Sequence, residues 1–387
     1  MEVETSSAVE ILDRMVAFET ISARPNLDFV RYVEDQLMRE GVPAHLSHDG
    51  AGERANIHAA IGPAVSGGVV LNGHTDVVPV DGQDWTSNPF RLAQRDDRLY
   101  ARGAVDMKGF LACMLAAVPM WSKKDLKRPI HVSMCYDEEI GGLGAPALVA
   151  DMGRTVPRPS LAIVGEPTEM NIIAGHKGGF EFRTEFSGLE AHAADPGKGV
   201  SAIFFAARFI NHLEDLANQL ADQPDAESPY DPPYTTLNVG TIEGGAARNI
   251  IPGHCALGWE LRPLPGDDSE ALLAGINDYV QTRLLPEMRR LYPDADIRTK
   301  LQAKVPALDH RNSDEAATFL HAITGLDNTA VVSFGTDAGH FCNAGISTAV
   351  FGPGSIEQAH KPDECIEVSQ IAACMTFFDK LGDHLAQ

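Results

Sequence analysis

Apolar residues along this chain follow two patterns, which divide it into helices and strands. Helical spacing runs through residues 7–18, and a helix that is apolar on most faces is predicted over 107–122. Residues 67–78, 129–136 and 161–165 are instead short apolar runs rich in β-branched side chains. Such runs are typical of strands that are buried on both faces of a parallel sheet. The first part of the chain therefore predicts an α/β fold with a mainly parallel sheet.

The pattern changes near residue 175. The segment Phe180–Phe186 alternates apolar and polar residues, as an antiparallel strand with one solvated face does. Two more strand patterns and two helices follow, the last of them predicted over 268–292, and the chain then returns to α/β character. This order predicts a small α+β domain over 176–296, inserted into a domain formed by 1–175 and 297–387.

Composition and charge narrow the possible functions. The chain has 387 residues, which is more than a single hydrophobic core usually accommodates, and this length supports two domains. A net charge of -23 argues against nucleic acid as a partner, because phosphates would be repelled. The six cysteines are scattered without a Cys-x-x-Cys pair, which favours buried free thiols in a reducing compartment. Without a basic, apolar leader or a run of membrane-spanning length, we expect a cytoplasmic protein that does not bind membranes.

Polar side chains follow each predicted parallel strand. His74 and Asp76 end the first strand, Glu138 and Glu139 follow the second, and Glu166 follows the third. The carboxyl ends of parallel strands meet at one edge of a sheet, where open α/β folds carry their sites. We therefore expect these five side chains to lie together.

Two further residues complete a candidate metal-binding set. Asp106 stands at the start of the 107–122 helix, and His360 ends the run Gly352–His360. Imidazole and carboxylate donors without cysteine suit Zn²⁺, Co²⁺ or Mn²⁺. One ion needs three protein ligands, whereas five good candidates fit two ions that share a carboxylate and lie roughly 3.5–4 Å apart. Of the adjacent glutamates, one can bind metal while the other acts as a general base.

Simpler explanations exist for single members of the set. Glu138 and Glu139 could form a solvated acidic turn, and Asp106 could only cap a helix. Together they do not explain why each of these acids lies where an apolar strand stops.

Four motifs in order carry a family resemblance over essentially the whole chain. The sequence is similar to the dinuclear zinc amidohydrolases of the M20 peptidase family, and the matching motifs are His74-Thr-Asp76, Gly103-Ala-Val-Asp106-Met-Lys-Gly, Asp137-Glu138-Glu139-Ile-Gly-Gly and Gly165-Glu166-Pro-Thr. The resemblance implies a zinc aminopeptidase-like catalytic domain, with an inserted domain that serves as lid and dimerisation element.

The resemblance also implies a role for each candidate. His74 and Glu166 would bind one zinc ion, and Glu139 and His360 the other. Asp106 would bridge the two ions and be joined to the next residue by a cis peptide bond. Glu138 would then be the general base, and Asp76 would orient His74.

Residues outside the metal set acquire roles only through the family. His192, in Gly188-Leu-Glu-Ala-His192, resembles the histidine that reaches the active site of the partner subunit in a homodimer and stabilises the oxyanion. Without the family resemblance, a solvent-exposed loop histidine is the favoured interpretation, because a single histidine is little evidence. Asn249, Arg262 and Thr336 would contact the substrate, with the Arg262 guanidinium pairing with an α-carboxylate.

The C-terminal motifs resemble one subgroup of the family. Ser333–Phe341 and Gly352-Pro-Gly-Ser-Ile-Glu-Gln-Ala-His360 look most like acetylornithine deacetylases. The resemblance implies hydrolysis of an N-acyl amino acid, N²-acetyl-L-ornithine, to acetate and L-ornithine for arginine synthesis. A desuccinylase, another N-acyl-amino-acid deacylase, a dipeptidase or a non-catalytic metal-binding homologue are the alternatives.

Overall fold

The structure is a computed structural model that describes residues 2–387. Within this range the α-helices are α1 (Glu2–Val16), α2 (Leu27–Arg39), α3 (Lys108–Trp121), α4 (Ala145–Asp151), α5 (Ala202–Ala221), α6 (Ser269–Tyr279), α7 (Leu285–Leu291), α8 (Asp314–Thr324), α9 (Ala338–Asn343) and α10 (Val368–Leu385). A π-helical turn, Val280–Leu284, joins α6 to α7.

The strands are β1 (Ala44–His48), β2 (Ala55–Ile61), β3 (Val69–His74), β4 (Ala93–Arg95), β5 (Arg98–Tyr100), β6 (Ile130–Cys135), β7 (Leu161–Val164), β8 (Ile172–His176), β9 (Gly179–Ser187), β10 (Ala191–His192), β11 (Thr236–Gly244), β12 (Ile250–Ile251), β13 (His254–Arg262), β14 (Asp296–Val305), β15 (Thr329–Val332), β16 (Ser347–Val350) and β17 (Cys365–Glu367).

The chain divides into two compact units. The first contains the described residues as far as His176 together with Leu308–Gln387, and the second contains Lys177–Ala307. The first unit is thus made of two stretches of chain, one before and one after the second unit.

An eight-stranded sheet organises the first unit, in the order β1-β2-β6-β3-β7-β16-β8-β15. Its centre is parallel, since β3 pairs in parallel with β6 and β7, and β16 pairs in parallel with β7. The outer pairs β1–β2 and β2–β6 are antiparallel. The parallel centre brings the carboxyl ends of β3, β6 and β7 to one edge.

Burial explains why the central elements contain so few polar residues. Every residue of β3 and β6 is buried, and so is nearly every residue of α3. A helix that is apolar all round belongs in the interior of a large domain. Here α3 packs against α1 and α10, which makes it the centre of the core.

The second unit has its own sheet and its own core. Its antiparallel sheet has the order β11-β13-β9-β14, and β9 alternates buried and exposed positions as the sequence predicts. Phe182 stacks on Trp259, and Phe209 from α5 meets the same ring edge-on. These aromatic contacts join the helix to the sheet.

The boundary of the second unit differs from the sequence-based one. The sequence pattern places residues 297–305 in the returning domain, but in the structure β14 pairs with β9 along its length, and the unit ends at Ala307. Most of β14 is exposed, so it lacks the apolar pattern by which a strand is recognised.

All six cysteines are free thiols, five of them buried. Among the described residues, no helix is long and apolar enough to cross a membrane.

Candidate metal centre

The parallel centre of the first unit delivers the candidate ligands to one place. His74 is the last residue of β3, Glu138 and Glu139 follow β6, and Glu166 follows β7. The register pairs His74 with Cys135, the last residue of β6, and Asn72 with Val164, the last residue of β7. The three strands therefore end within two residues of one another.

Asp106 lies between two histidines, with one carboxylate oxygen toward each. Its Oδ1 is 3.0 Å from His74 Nε2, and its Oδ2 is 3.1 Å from His360 Nε2. Glu166 Oε1 lies 3.7 Å from His74 Nε2, on one side. Glu139 Oε2 lies 2.9 Å from His360 Nε2, on the other. A carboxylate with a different histidine and a different glutamate at each oxygen has the arrangement of a bridging ligand. The peptide bond between Asp106 and Met107 is cis.

The electrostatics show a surplus of negative charge. Burial and the charge of Glu166 raise the pKa of Glu138 well above its ordinary value. Burial and the charge of Asp106 raise the pKa of Glu139 to about 7. Carboxylates crowded together out of water resist ionisation unless positive charge is supplied.

The histidines respond in the opposite direction. Hydrogen bonds with Asp106 and Glu139 raise the pKa of His360 to about 10. Burial disfavours the His74 imidazolium, but the hydrogen bond with Asp106 and the charge of Glu166 still hold its pKa well above the ordinary value. Both shifts therefore have the same source, the surrounding carboxylates.

These donors fit divalent cations. The ligand atoms of His74, Asp106 and Glu139 all lie within 4.8 Å of one another, and so do those of His74, Glu138 and Glu166. Imidazole nitrogen and carboxylate oxygen are the donors of zinc, cobalt and manganese sites. Two cations would also balance the four carboxylates of the cluster.

The Asp76 side chain makes contacts that the sequence did not predict. The backbone carbonyl of Asp76, not its carboxylate, is hydrogen-bonded to His74 Nδ1, at 2.9 Å. The carboxylate oxygen Oδ1 is 3.6 Å from that nitrogen. Instead the carboxylate accepts hydrogen bonds from the backbone amides of Glu138 (3.1 Å) and Glu139 (3.3 Å). Asp76 therefore connects the loop that follows His74 to the loop that carries Glu138 and Glu139, which we call the glutamate loop.

Three of the other candidates lie in the second unit. His192 is exposed in β10, and Asn249 directly precedes β12, which pairs with β10. The backbone joins these two segments, because Ala193 N donates to the carbonyl of Asn249 at 3.0 Å. Arg262 ends β13 and is ion-paired with Glu260 at 2.8 Å.

Thr336 is in the first unit, but its side chain is buried. Its hydroxyl is 3.0 Å from His176 Nε2 and accepts a hydrogen bond from the amide of Ala338 at 3.1 Å. Both partners of the hydroxyl are groups of the protein itself. The role of Thr336 in substrate binding stays a prediction.

A family model described as "Peptidase family M20/M25/M40" matches residues 70–383, which include the whole candidate centre. The chain belongs to the M20 peptidase family. This confirms the resemblance that the sequence motifs carry, and it makes the protein a metal-dependent amidohydrolase.

Curated relatives of this M20 protein cover nearly all of it. It is 38% identical over 369 residues to an acetylornithine deacetylase of Myxococcus xanthus, a match that covers 94% of this chain and 93% of that protein. It is 32% identical over 397 residues to an acetylornithine deacetylase of Photorhabdus laumondii, with 99% and 98% covered.

Solved M20 structures share its fold at low identity. Human carnosine dipeptidase 1 has a TM-score of 0.76 at 18% identity, covering 100% of this chain and 98% of that one. An M20 family metallo-carboxypeptidase from Sulfolobus solfataricus has a TM-score of 0.76 at 17% identity, covering 98% and 99%. These matches confirm the predicted fold class.

Several contacts around the centre of this M20 enzyme were missed from the sequence. Glu364 is buried and accepts hydrogen bonds from the amides of Val105 and Asp106, at 2.9 and 3.1 Å. It is also ion-paired with the buried Arg102 at 2.6 Å. The short spacing of Glu364 after His360 was an available signal, because a carboxylate that close to a ligand can support the site. Ser22, which contacts Asp76, gave no such signal.

Proposed function

We propose that this enzyme hydrolyses the N²-acetyl amide of N²-acetyl-L-ornithine, releasing acetate and L-ornithine for arginine biosynthesis. The observation that carries the proposal is the near-full-length identity to proteins named acetylornithine deacetylase, 38% in one case. The buried cluster of histidines and carboxylates supports it, because amide hydrolysis by this family needs a metal centre.

The cluster is proposed to hold two divalent ions, zinc by preference, with cobalt or manganese fitting the same donors. His74 and Glu166 would hold one ion, His360 and Glu139 the other, and Asp106 both. When bound, two such ions would polarise the acyl carbonyl and lower the pKa of the attacking water toward 7.

Glu138 is the proposed general base. Burial and the charge of the neighbouring Glu166 raise its pKa, and a raised pKa makes a carboxylate a stronger base. It would take a proton from water as the oxygen attacks the acyl carbon. It would then return that proton to the ornithine nitrogen as the carbon–nitrogen bond breaks. The products at this point are acetic acid and the neutral amine. The acid then gives its proton to the amine, which yields acetate and the protonated α-amine of ornithine, so atoms and charges balance.

Residues of the second unit complete the proposal. His192 would donate a hydrogen bond to the oxyanion of the tetrahedral intermediate, as groups placed where charge develops do. In a homodimer formed through this unit, it would serve the centre of the partner subunit. Asn249 and Arg262 would bind the amino-acid carboxylate, together with Thr336.

A panel of substrates tests the function. Initial rates would be measured on the zinc-loaded enzyme with N²-acetyl-L-ornithine, N-succinyl-LL-diaminopimelate, N-acetyl-L-methionine and a dipeptide, with a chelator-treated control. We expect the highest kcat/KM for acetylornithine and loss of activity on chelation. Chelator-sensitive preference for another substrate would reject the proposed substrate and keep the metal chemistry.

A further inference from the structure

The segment Thr20–Ala23, between α1 and α2, is bonded to the loop that follows β3. Ile21 forms a parallel bridge with Val77, in which Val77 N donates to Thr20 O at 3.0 Å and Ser22 N donates to Val77 O at 3.1 Å. The Thr20 hydroxyl donates to the carbonyl of Thr75 at 2.5 Å. We call Thr20–Ala23 the brace. Its backbone is held beside the residues that follow His74.

The brace presents one side-chain donor to the candidate centre. Ser22 Oγ donates to Asp76 Oδ2 at 2.8 Å, the shortest of the three hydrogen bonds to that carboxylate. Asp76 is only 3% exposed, so solvent cannot readily replace a lost donor. The orientation of the carboxylate therefore depends on these protein donors.

Asp76 transmits that orientation to the glutamate loop. Its Oδ1 accepts from the amide of Glu138, and its Oδ2 accepts from the amide of Glu139. A short path of two hydrogen bonds thus leads from the Ser22 hydroxyl to the backbone of both glutamates.

The brace also holds the residue before them. Ala23 N donates to Asp137 Oδ1 at 2.8 Å, and Arg54 is ion-paired with the other oxygen of Asp137. The loop that carries Glu138 and Glu139 is therefore restrained at its start from the same segment. Two independent contacts make the brace a support for this loop.

We propose that Ser22 is a positioning residue of the amidohydrolase centre. Its hydroxyl orients the Asp76 carboxylate, which holds the amides of Glu138 and Glu139 so that the base and a metal ligand face the ions. The effect on turnover rests on the proposed function, but the effect on metal retention does not. Removing a residue that orients a metal ligand lowers metal affinity or activity about 10–100-fold.

The test compares Ser22→Ala, which removes the hydroxyl, with Ser22→Thr, which keeps it. Ser160→Ala is the matched control, because the Ser160 hydroxyl donates to a backbone carbonyl, Gly68 O, at the opposite end of β3. For each zinc-loaded enzyme, kcat and KM would be measured on the substrate that the wild type hydrolyses. Zinc retention would be measured separately by competition with a chromophoric chelator.

For Ser22→Ala we expect kcat to fall about tenfold, with KM within about twofold of the wild type. The chelator concentration that removes half the zinc should also fall about tenfold. Ser22→Thr should restore both values, and Ser160→Ala should match the wild type. If Ser22→Ala does not fold, Ser22→Cys, with its weaker donor, takes its place and should lie between wild type and the expected loss.

Wild-type kcat and zinc retention in Ser22→Ala would overturn the proposal, and so would a Ser22→Thr enzyme as impaired as Ser22→Ala. If the wild type hydrolyses no member of the panel, zinc retention still decides the role of Ser22. The proposed function then fails while this inference is judged separately.

Discussion

Glu138 and Glu139 are neighbours in sequence, but the structure surrounds them differently. Glu139 is 2.9 Å from His360 Nε2, whereas the charge that acts most strongly on Glu138 is that of Glu166. One glutamate thus contacts a histidine that has the position of a metal ligand. The pKa of both glutamates is raised, so it is the contact of Glu139 with His360 that separates the proposed metal ligand from the proposed base.

This difference predicts the behaviour of Glu138→Gln. The amide keeps the size of the side chain but cannot accept the proton of water, so kcat should fall by about 10²–10⁴. Zinc content, measured by atomic absorption, should remain at the wild-type level. The exposed Glu40→Gln serves as control and should retain full activity. Turnover by Glu138→Gln near that of the control would reject Glu138 as base.

Glu364 accepts a hydrogen bond from the backbone amide of Asp106 and is itself ion-paired with Arg102. Both side chains are 1% exposed, so Arg102→Met would leave a buried carboxylate without its cation. Removing one partner of such a pair costs about 3–5 kcal/mol. Urea unfolding should show a loss of this size. Arg31→Met, which breaks the exposed pair with Asp28, should cost less than about 1 kcal/mol. Equal losses in the two variants would contradict the prediction.

At the residue scale, the sequence predicts those site residues that directly follow an apolar strand. His74 and Glu166 could be recognised in this way because β3 begins with the apolar run Val69–Leu71 and β7 is apolar throughout. Ser22 and Arg102 could not, because each acts on the site through a contact with a distant segment that no local pattern records.

Among the elements, those with strong apolar patterns were predicted to within a few residues. α3 and β3 are examples, and β6 is another. The helix predicted over 268–292 is present as α6 and α7 with a π turn between them, a local change in hydrogen bonding that periodicity does not report. β14 was missed because it is largely exposed, and β5 because three residues are too few to show a period.

Gly165, the residue after β7, packs closely against α3. A Cβ built on Gly165 would lie 2.1 Å from the ring of the buried Phe110. Gly165→Ala should therefore destabilise the protein by about 1–3 kcal/mol through overpacking. Because Glu166 is the next residue, zinc retention should fall as well.

The same substitution in an open position gives the control. Gly275, within α6, has nothing within 4 Å of a Cβ, so Gly275→Ala should stabilise by roughly 0.5–1 kcal/mol. Thermal unfolding of both variants measures the contrast. A neutral Gly165→Ala would show that the contact with Phe110 is not restrictive.

At the scale of the whole molecule, two buried histidines predict how stability depends on pH. His58 Nε2 and His131 Nδ1 lie 3.2 Å apart across β2 and β6. Burial lowers the pKa of His58 to about 3 and that of His131 to about 4. Both are neutral in the folded protein at pH 5, while the unfolded chain protonates them below about 6.5. At these two positions the unfolded state therefore binds more protons, so the contribution of the histidines to stability falls as pH drops from 6.5 toward 4.

Each histidine should contribute about 1.4 kcal/mol per pH unit within that window. His131→Gln removes one of the two titrating groups, so its free energy of unfolding in urea should fall less steeply between pH 6.5 and 5 than that of the wild type. Equal slopes would show that His131 does not contribute.

The order of strands in the first unit also has a consequence for synthesis on the ribosome. β16 lies between β7 and β8, yet both of its neighbours precede the second unit in the chain, and β16 follows it. While Lys177–Ala307 is being translated, β7 has no partner on that edge and presents an apolar strand with free backbone groups. Unpaired edges of this kind are templates for misassembly. Until β16 emerges, the nascent chain therefore has an unpaired strand edge in the middle of its eight-stranded sheet. A chaperone that covers this edge would prevent misassembly.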